Sequence, residues 1–238
     1  MSKIIGIIPA RSGSESVKNK NIRTFHGKPL IAWTIECALA SRLDRVIVST
    51  NDENIQNIAK EHGAEVPFLR PESISDNYCG IEPVLKHTYE YLKKEENYEA
   101  DIIVMLLPTS PFRETKDLNL AIQMYLDDDL TSVVSVIKAE ANMNPHWMLV
   151  ENSNSINLFN GNTLKDIQDR RQDLPDVFIR NDFVYVLDPK NLYESKSNLY
   201  GERVNLYKIS EQRYDIDINS EKDFYIAEAI FSKLKLNE

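Results

Sequence analysis

The chain has only two cysteines, Cys37 and Cys79, in 238 residues. Two thiols build no disulfide framework, and their scarcity fits a reducing cytosol. Nowhere does an apolar run approach the roughly 20 residues that a membrane span requires. Residues 1–9 lack the charged start and long apolar core of a signal peptide. Basic residues are not in excess either: 28 Lys and Arg face 37 Asp and Glu, for a formal net charge of -9. That balance argues against nucleic acid as the principal partner. Internal repeats and low-complexity tracts are absent as well. What remains, at 42% hydrophobic and 27% charged, is an ordinary soluble globular composition. The length suits one large domain or two small ones.

Against this acidic background one stretch is basic. Ile4 to Lys28 carries Arg11, Lys18, Lys20, Arg23 and Lys28 against Glu15 alone. It begins with the apolar run Ile4-Ile5-Gly6-Ile7-Ile8 and breaks at Pro9. A positive loop following a buried strand is a place to hold an anion, above all a polyphosphate. Gly13 and the neighbouring serines let backbone N–H groups approach phosphate oxygens. Arg11 offers a planar fork and Lys20 a compact charge. The loop lacks G-x-x-x-x-G-K-[ST], which excludes a Walker-type ATPase. The plain alternative is a solvated loop whose charges serve solubility.

Strand-like and helical patterns alternate through the first 136 residues. Ile4–Ile8, Arg45–Ser49, Val66–Leu69, Asp101–Leu107 and Thr131–Ile137 read as strands. Pro29–Ser41, Glu53–His62, Ile81–Glu96 and Thr115–Asp127 read as helices, with Asn51 or Asp52 capping the second and Gly63 closing it. Such alternation predicts an α/β fold with a mostly parallel, Rossmann-like sheet and helices on both faces. Ligands in such sheets bind at the carboxyl ends of the strands, where the loop at 9–23 lies. Residues 138–180 break the pattern and read as an excursion, a hairpin or arm. Phe183–Leu187, Val204–Ile209 and Tyr214–Ile218 read as returning strands. Glu221–Leu236 reads as an amphipathic helix with Phe224, Ala227, Ile230, Phe231 and Leu234 on one face.

Four more segments carry chemistry. Met105-Leu-Leu-Pro-Thr-Ser-Pro-Phe-Arg113 is a strand running into a proline-stiffened loop; its plain reading is a turn with an exposed arginine. Pro71–Gly80 is a polar loop in which Cys79 reads as an inert thiol. Arg170-Arg171-Gln172-Asp173-Leu174-Pro175 is followed by Asn181 and Tyr185. Asp215-Ile216-Asp217 places two carboxylates on one side of an expected strand, ~6.6 Å apart. Opposite a phosphate loop, such a pair suits Mg²⁺ shared with substrate phosphates.

These segments, in this order, resemble the acylneuraminate cytidylyltransferases (the CMP-sialic acid synthetases), from Ile4 to about Ala229. The resemblance implies a single nucleotidyltransferase domain over 1–238, with 138–180 as an inserted arm that makes a homodimer. It implies transfer of CMP from CTP to the anomeric hydroxyl of an acidic nine-carbon 2-keto sugar, of the sialic, legionaminic or pseudaminic acid type. Pyrophosphate is released, and the product feeds a surface glycan. Ala10, Arg11, Gly13, Ser14, Lys20, Asn21 and Pro108 fall on nucleotide positions. Leu107, Thr109, Ser110, Arg171, Gln172, Asn181 and Tyr185 fall on sugar positions. Asp215 and Asp217 fall on metal positions for Mg²⁺, with Mn²⁺ as an alternative. Arg11, Lys20 and Asp217 carry the catalytic roles, and no side chain stands out as a general base. His146 or Trp147, and Leu199-Tyr200, are the nearest matches to residues that reach a neighbouring site. The setting implied is cytoplasmic, with no membrane or nucleic-acid partner.

Three positions depart from the family pattern. Glu15 replaces a lysine, with Lys18 as compensation in the V-K-N-K-N-I run that the legionaminic acid branch shares. Leu107 replaces a glutamine that contacts the sugar, and Asp182 replaces a glycine. The rival readings are a cytidylyltransferase for the eight-carbon sugar Kdo, and a non-catalytic nucleotide-sugar binding protein.

Overall fold

The computed structural model describes residues 2–152, 155–194, 198–210 and 216–235. In chain order it contains β1 (Ile4–Pro9), β2 (Thr24–Phe25), β3 (Lys28–Pro29), α1 (Leu30–Leu39), β4 (Arg45–Ser49), α2 (Glu53–Glu61), α3 (Ile81–Glu95), β5 (Ile102–Met105), α4 (Thr115–Asp127) and β6 (Ser132–Lys138). Then follow β7 (Leu149–Asn152), β8 (Ser155–Leu158), β9 (Phe178–Leu187), β10 (Val204–Lys208) and α5 (Glu221–Lys235).

Six strands form one sheet in the order β10-β6-β9-β5-β1-β4. β1 pairs parallel with both β4 and β5, and β9 runs antiparallel to β5. Alternation along β1 explains why its isoleucine run is buried throughout. Ile4 and Ile8 join a cluster with Ile31 and Ile35 of α1, Ile55 of α2 and Leu118 and Ile122 of α4. Ile5 and Ile7 join Leu85 and Leu92 of α3 in the cluster on the other face. Successive side chains point to opposite faces, so a strand covered on both sides is apolar at every position.

A third cluster sets the site. Val17 of the basic loop, Phe25, Leu30 and Ile218 pack with Phe224 and Ala227 of α5. Phe25 meets Phe224 edge-on at 5.7 Å between ring centroids. α5 starts with a capping box: Asp223 Oδ2 accepts from the Ser220 N–H at 2.8 Å and Ser220 Oγ accepts from the Asp223 N–H at 3.2 Å. Asp223 therefore caps the helix and is committed there. α2 is capped by Asp52, whose Oδ1 accepts from the N–H groups of Asn54 and Ile55.

Three expectations need correction. Val66–Leu69 is not a strand: the chain makes one parallel bridge, Ile47 to Glu65, beside β4. Pro67 has no N–H with which to continue the ladder. Ile216–Ile218 is irregular rather than a strand, and the Ile218 N–H goes to the Thr109 carbonyl at 2.9 Å. Tyr214, Asp215 and Leu236 lie outside the described residues. Pro29 precedes α1 as its N-cap rather than standing in its first turn.

Contacts divide the chain into two compact units. The first is Met1–Ser135, Asn181–Tyr207 and Tyr214–Glu238; the second is Val136–Arg180 with Lys208–Arg213. The second unit holds the antiparallel β7–β8 hairpin, with Leu149 opposite Leu158. Polar contacts order it: buried Asn144 donates to the Pro175 carbonyl at 3.0 Å, and Trp147 Nε1 donates to the Gln168 carbonyl at 2.6 Å. The excursion expected at 138–180 is thus a compact unit that also takes in Lys208–Arg213.

Candidate active site

β1 ends at Pro9 and β5 at Met105, two residues before Leu107, side by side in the sheet. At these carboxyl ends the first unit has a cleft of about 480 Å³. Arg11, Ser14, Lys20 and Asn21 line it from the basic loop, and Leu107, Pro108 and Thr109 from the loop after β5. Asp182 and Asp217 add carboxylates, joined by Glu15, Ser16, Asn77 and Asn219.

The basic loop is held open by its own polar contacts. Asn21 is buried, and its amide donates to the Arg11 carbonyl at 3.0 Å. The Ser12 N–H donates to Asn51 Oδ1 at 3.0 Å, which ties the loop to the end of β4. Gly13 turns with φ +74°, a conformation that side chains resist. Arg11 reaches the carbonyls of Ser12 and Gly13 only at 3.4 Å each, so its guanidinium is loosely engaged.

Lys20 links this loop to the segment before α5. Its Nζ donates to the Ile218 carbonyl at 2.9 Å. Burial pulls its pKa below the usual lysine value, while the charge of Asp217 pulls it back up and Arg11 adds to the lowering. Asp217 Oδ2 accepts from the Asn219 amide. Its Oδ1 is buried and has no hydrogen-bond partner among the described residues, and the same is true of Thr109 Oγ1. Both oxygens belong to residues that line the cleft, and an orphaned buried oxygen is one that a ligand or cation can complete. Among the described residues no group of three or more His, Cys, Asp or Glu side chains is placed to hold a metal.

Several residues expected to touch ligand are not among those that line the cleft. Ala10 is buried, with its N–H on the Ser49 carbonyl at 2.9 Å. Ser110 is buried and donates to the Asp182 carbonyl at 3.3 Å. Tyr185 is buried, and its hydroxyl donates to Asp182 Oδ1 at 3.2 Å. Asn181 is buried in β9, and its carbonyl accepts from Ser135 Oγ. Gly13 shapes the loop without lining the cleft. Arg171 and Gln172 are exposed in the second unit. Leu199 is 5% exposed and packs in the first unit's core. Asp215 lies outside the described residues.

Two departures have structural consequences. Glu15 accepts a hydrogen bond from the amide of Asn77, joining the basic loop to the polar loop after Pro71. Asp182 does not turn away from the cleft; it lines it.

Two arginines escape a reading of sequence. Arg113 is buried, not exposed. It donates from Nη1 to Thr34 Oγ1 at 2.9 Å, from Nη2 to the Leu107 and Asp182 carbonyls at 2.8 and 2.9 Å, and from Nε to the Phe183 carbonyl. Burial pushes its pKa down to about 10, against the pull of Cys37, Asp117 and other anionic groups, so it stays charged at neutral pH. Arg70 is also buried; its Nε donates to Ser75 Oγ at 3.1 Å and its Nη2 has no hydrogen-bond partner among the described residues. Burial lowers its pKa first, and the Arg11 charge contributes to the lowering. The available sequence signal was an arginine closing the apolar run Val66-Pro-Phe-Leu-Arg70.

The chain is 30% identical over 238 residues to a CMP-N,N'-diacetyllegionaminic acid synthase of Legionella pneumophila, covering 99% of this chain and 98% of the relative. It is 33% identical over 177 residues to a pseudaminic acid cytidylyltransferase of Campylobacter jejuni, covering 74% of each. It is 29% identical to an N-acylneuraminate cytidylyltransferase of Escherichia coli over 98% of this chain but 53% of the longer relative. Among solved structures, a CMP-2-keto-3-deoxy-manno-octonic acid synthetase complexed with CTP matches over 98% of this chain and 99% of its own, at TM-score 0.68 and 18% identity. A 4-diphosphocytidyl-2C-methyl-D-erythritol synthase from Anaerococcus prevotii matches at TM-score 0.67 and 12% identity, over 97% and 96% of the two chains. Those two likenesses establish the nucleotidyltransferase-like fold. The cytidylyltransferase family model matches residues 5–235, and the chain belongs to that family.

Proposed function

We propose that this enzyme transfers the cytidylyl group of CTP to the anomeric hydroxyl of an acidic nine-carbon 2-keto sugar, releasing pyrophosphate. The observation that carries the reading is one cleft where Arg11 and Lys20 face Asp217, whose buried Oδ1 awaits a partner. The names of the relatives support the sugar class.

The sugar hydroxyl attacks the α-phosphorus as the bond to the bridging oxygen of pyrophosphate breaks. Arg11 and Lys20 stand on the phosphate side and offset the charge that develops on the leaving group. Lys20 gives up its bond to the Ile218 carbonyl for a phosphate oxygen. Asn21 holds the shape of the loop through the Arg11 carbonyl, and Ser14, on the cleft wall, adds a donor. Arg70, buried and near enough to Arg11 for their charges to interact, adds positive charge on that side. Ser110, Arg113 and Tyr185 hold the reacting geometry from behind.

Asp217 fits a divalent cation, Mg²⁺ or Mn²⁺, by its orphaned carboxylate oxygen. With no three-ligand cluster among the described residues, such an ion would rest on one or two carboxylates and the phosphates. Bound there, it would neutralise phosphate charge and orient the α-phosphate. Asp215, next but one in sequence, is assigned the second carboxylate on the family resemblance alone.

The second unit is read as a homodimerisation arm. It exposes Leu149, Ile156, Phe159 and Ile167, with Phe159 64% exposed. Unpaired apolar side chains in such number suit a protein partner. Phe159→Glu is expected to shift sedimentation toward the monomer; an unchanged dimer would refute the arm. Among the described residues no helix is long and apolar enough to cross a membrane, and the cytoplasm is the setting proposed.

The test of the reaction is pyrophosphate release with Mg²⁺ and CTP against sialic, legionaminic, pseudaminic and Kdo sugars. Release with CTP and a nine-carbon acid is expected. Release only with Kdo would favour that rival, and CTP binding without any release would favour a non-catalytic binding protein.

A further inference from the structure

The two carboxylate oxygens of Asp217 are not equivalent. Oδ2 accepts from the side-chain amide of Asn219, while Oδ1 is buried and has no hydrogen-bond partner among the described residues. Both residues line the cleft. A carboxylate only accepts, so the amide must face it with Nδ2. The backbone beneath the pair is anchored without that bond. Ile218, between the two, is fully buried among Val17, Phe25 and Phe224. Its N–H donates to the Thr109 carbonyl at 2.9 Å, and its carbonyl accepts from Lys20 Nζ at 2.9 Å. The Asn219 N–H donates at 3.1 Å to Oδ2 of Asp223, the cap of α5. The exposed Asn219 side chain is therefore not what holds the chain in place, and its amide goes to Asp217.

We infer that Asn219 is a positioning residue for Asp217: by holding Oδ2 it fixes the rotation of the carboxylate and keeps Oδ1 for the divalent cation. This rests on the function proposed above. The terminal torsion of an aspartate is broad, so a free carboxylate samples other rotations. Lys20 is near enough to attract its charge, and an unheld Asp217 would turn toward that ammonium. A neutral amide prevents this without adding charge. An aspartate in its place could not donate and would set a second negative charge against the first.

The test titrates Mn²⁺ into the equimolar complex of the full chain with CTP, without sugar. Free Mn²⁺ is read by electron paramagnetic resonance and corrected for what CTP alone holds. Asn219→Ala should weaken Mn²⁺ binding by about 10-fold or more, the usual loss when the partner that orients a metal-binding group is removed. With sugar added, kcat should fall and recover as Mg²⁺ is raised, while the KM for CTP stays near that of the unaltered protein. The urea midpoint should not move, since the backbone bond to Asp223 survives. Asn219→Asp should not restore Mn²⁺ binding. Unchanged Mn²⁺ affinity in Asn219→Ala overturns the inference. So does an Asn219→Asp variant that binds Mn²⁺ as tightly as the unaltered protein, which would make position 219 a ligand of the cation instead. The expected Mn²⁺ results, beside no pyrophosphate from the unaltered protein with any nine-carbon acid, overturn the proposed reaction and leave the inference standing.

Discussion

Replacing Arg113 with methionine removes the anchor behind the cleft while keeping most of the side-chain volume. The guanidinium makes four hydrogen bonds, to Thr34 Oγ1 and the carbonyls of Leu107, Asp182 and Phe183. Hydrogen bonds from a charged donor contribute about 1.5–3 kcal/mol each. Two acceptors keep substitutes: Ser110 Oγ donates to the Asp182 carbonyl at 3.3 Å, and Thr34 Oγ1 to the Leu107 carbonyl at 3.5 Å. Counting only the other two at full weight gives a loss of about 3–6 kcal/mol, in line with the 3–5 kcal/mol typical of breaking a buried charged network. With a urea m-value of about 2 kcal/mol/M, the unfolding midpoint should fall by ~2 M. Arg113→Lys should recover little, since one ammonium at the end of a flexible stem cannot span four acceptors. The assay is equilibrium urea unfolding followed by circular dichroism and tryptophan fluorescence. A loss below about 1 kcal/mol in Arg113→Met would refute the reasoning, because surface-like effects fall in that range.

Three further outcomes are expected. Asp217→Asn should lower turnover by about 10²-fold or more while CTP affinity changes little, since charge stabilisation acts mostly as the transition state forms; full turnover would remove Asp217 from the site. Arg70→Gln should raise the KM for CTP several-fold, as a positive charge near Arg11 is lost; an unchanged KM would make Arg70 purely structural. His87 packs edge-on against Phe68 at 4.7 Å, and burial, followed by the Arg70 charge, lowers its pKa below 6.5. The unfolded chain then binds the proton more tightly, so His87 costs stability as pH falls through about 6.5 toward the lower folded value. His87→Gln should therefore gain on the unaltered protein between pH 7 and 5, by no more than about 1 kcal/mol for a half-buried ring; a pH-independent difference would count against it.

Much of this was legible in the chain because the signal was local. The apolar run of β1 and the charge of the loop after it point to the carboxyl end of the sheet, and the cleft lies there. α2, α3 and α4 match their periodic patterns to within a residue, since caps and apolar stripes are written in consecutive positions. The failures are of another kind. Ile216-Asp217-Ile218 alternates like a strand, but its backbone bonds to Thr109 instead of to a ladder. Tyr185 and Ser110 belong to the right motifs, yet each donates a hydrogen bond to Asp182 from a buried position. A motif says that a position matters; it does not say whether the side chain meets the ligand or holds up one that does. Arg113 reads as exposed because charged side chains are almost never fully buried unless paired. Its partners come mainly from residues about 70 positions away, beyond any local pattern.

That long-range anchoring bears on two of the three departures from the family pattern, Leu107 and Asp182. Arg113 grips Leu107 and Asp182 by their carbonyl groups, not by their side chains. A backbone carbonyl is present whatever the residue, so the anchor survives exchange of the side chain above it. Glutamine or leucine at the first position, and glycine or aspartate at the second, would be presented on the same frame at little cost in stability. The substituent of the sugar that each version accepts would change, because the groups facing it change. Positions held by side-chain bonds have no such freedom. Asn21 donates through its own amide to the Arg11 carbonyl, and a replacement there loses the bond and with it the shape of the phosphate loop. The cleft thus combines two kinds of residue. Asn21 is fixed by what its side chain does for the basic loop, while Leu107 and Asp182, on the proposed sugar side, are held by backbone and left open to variation.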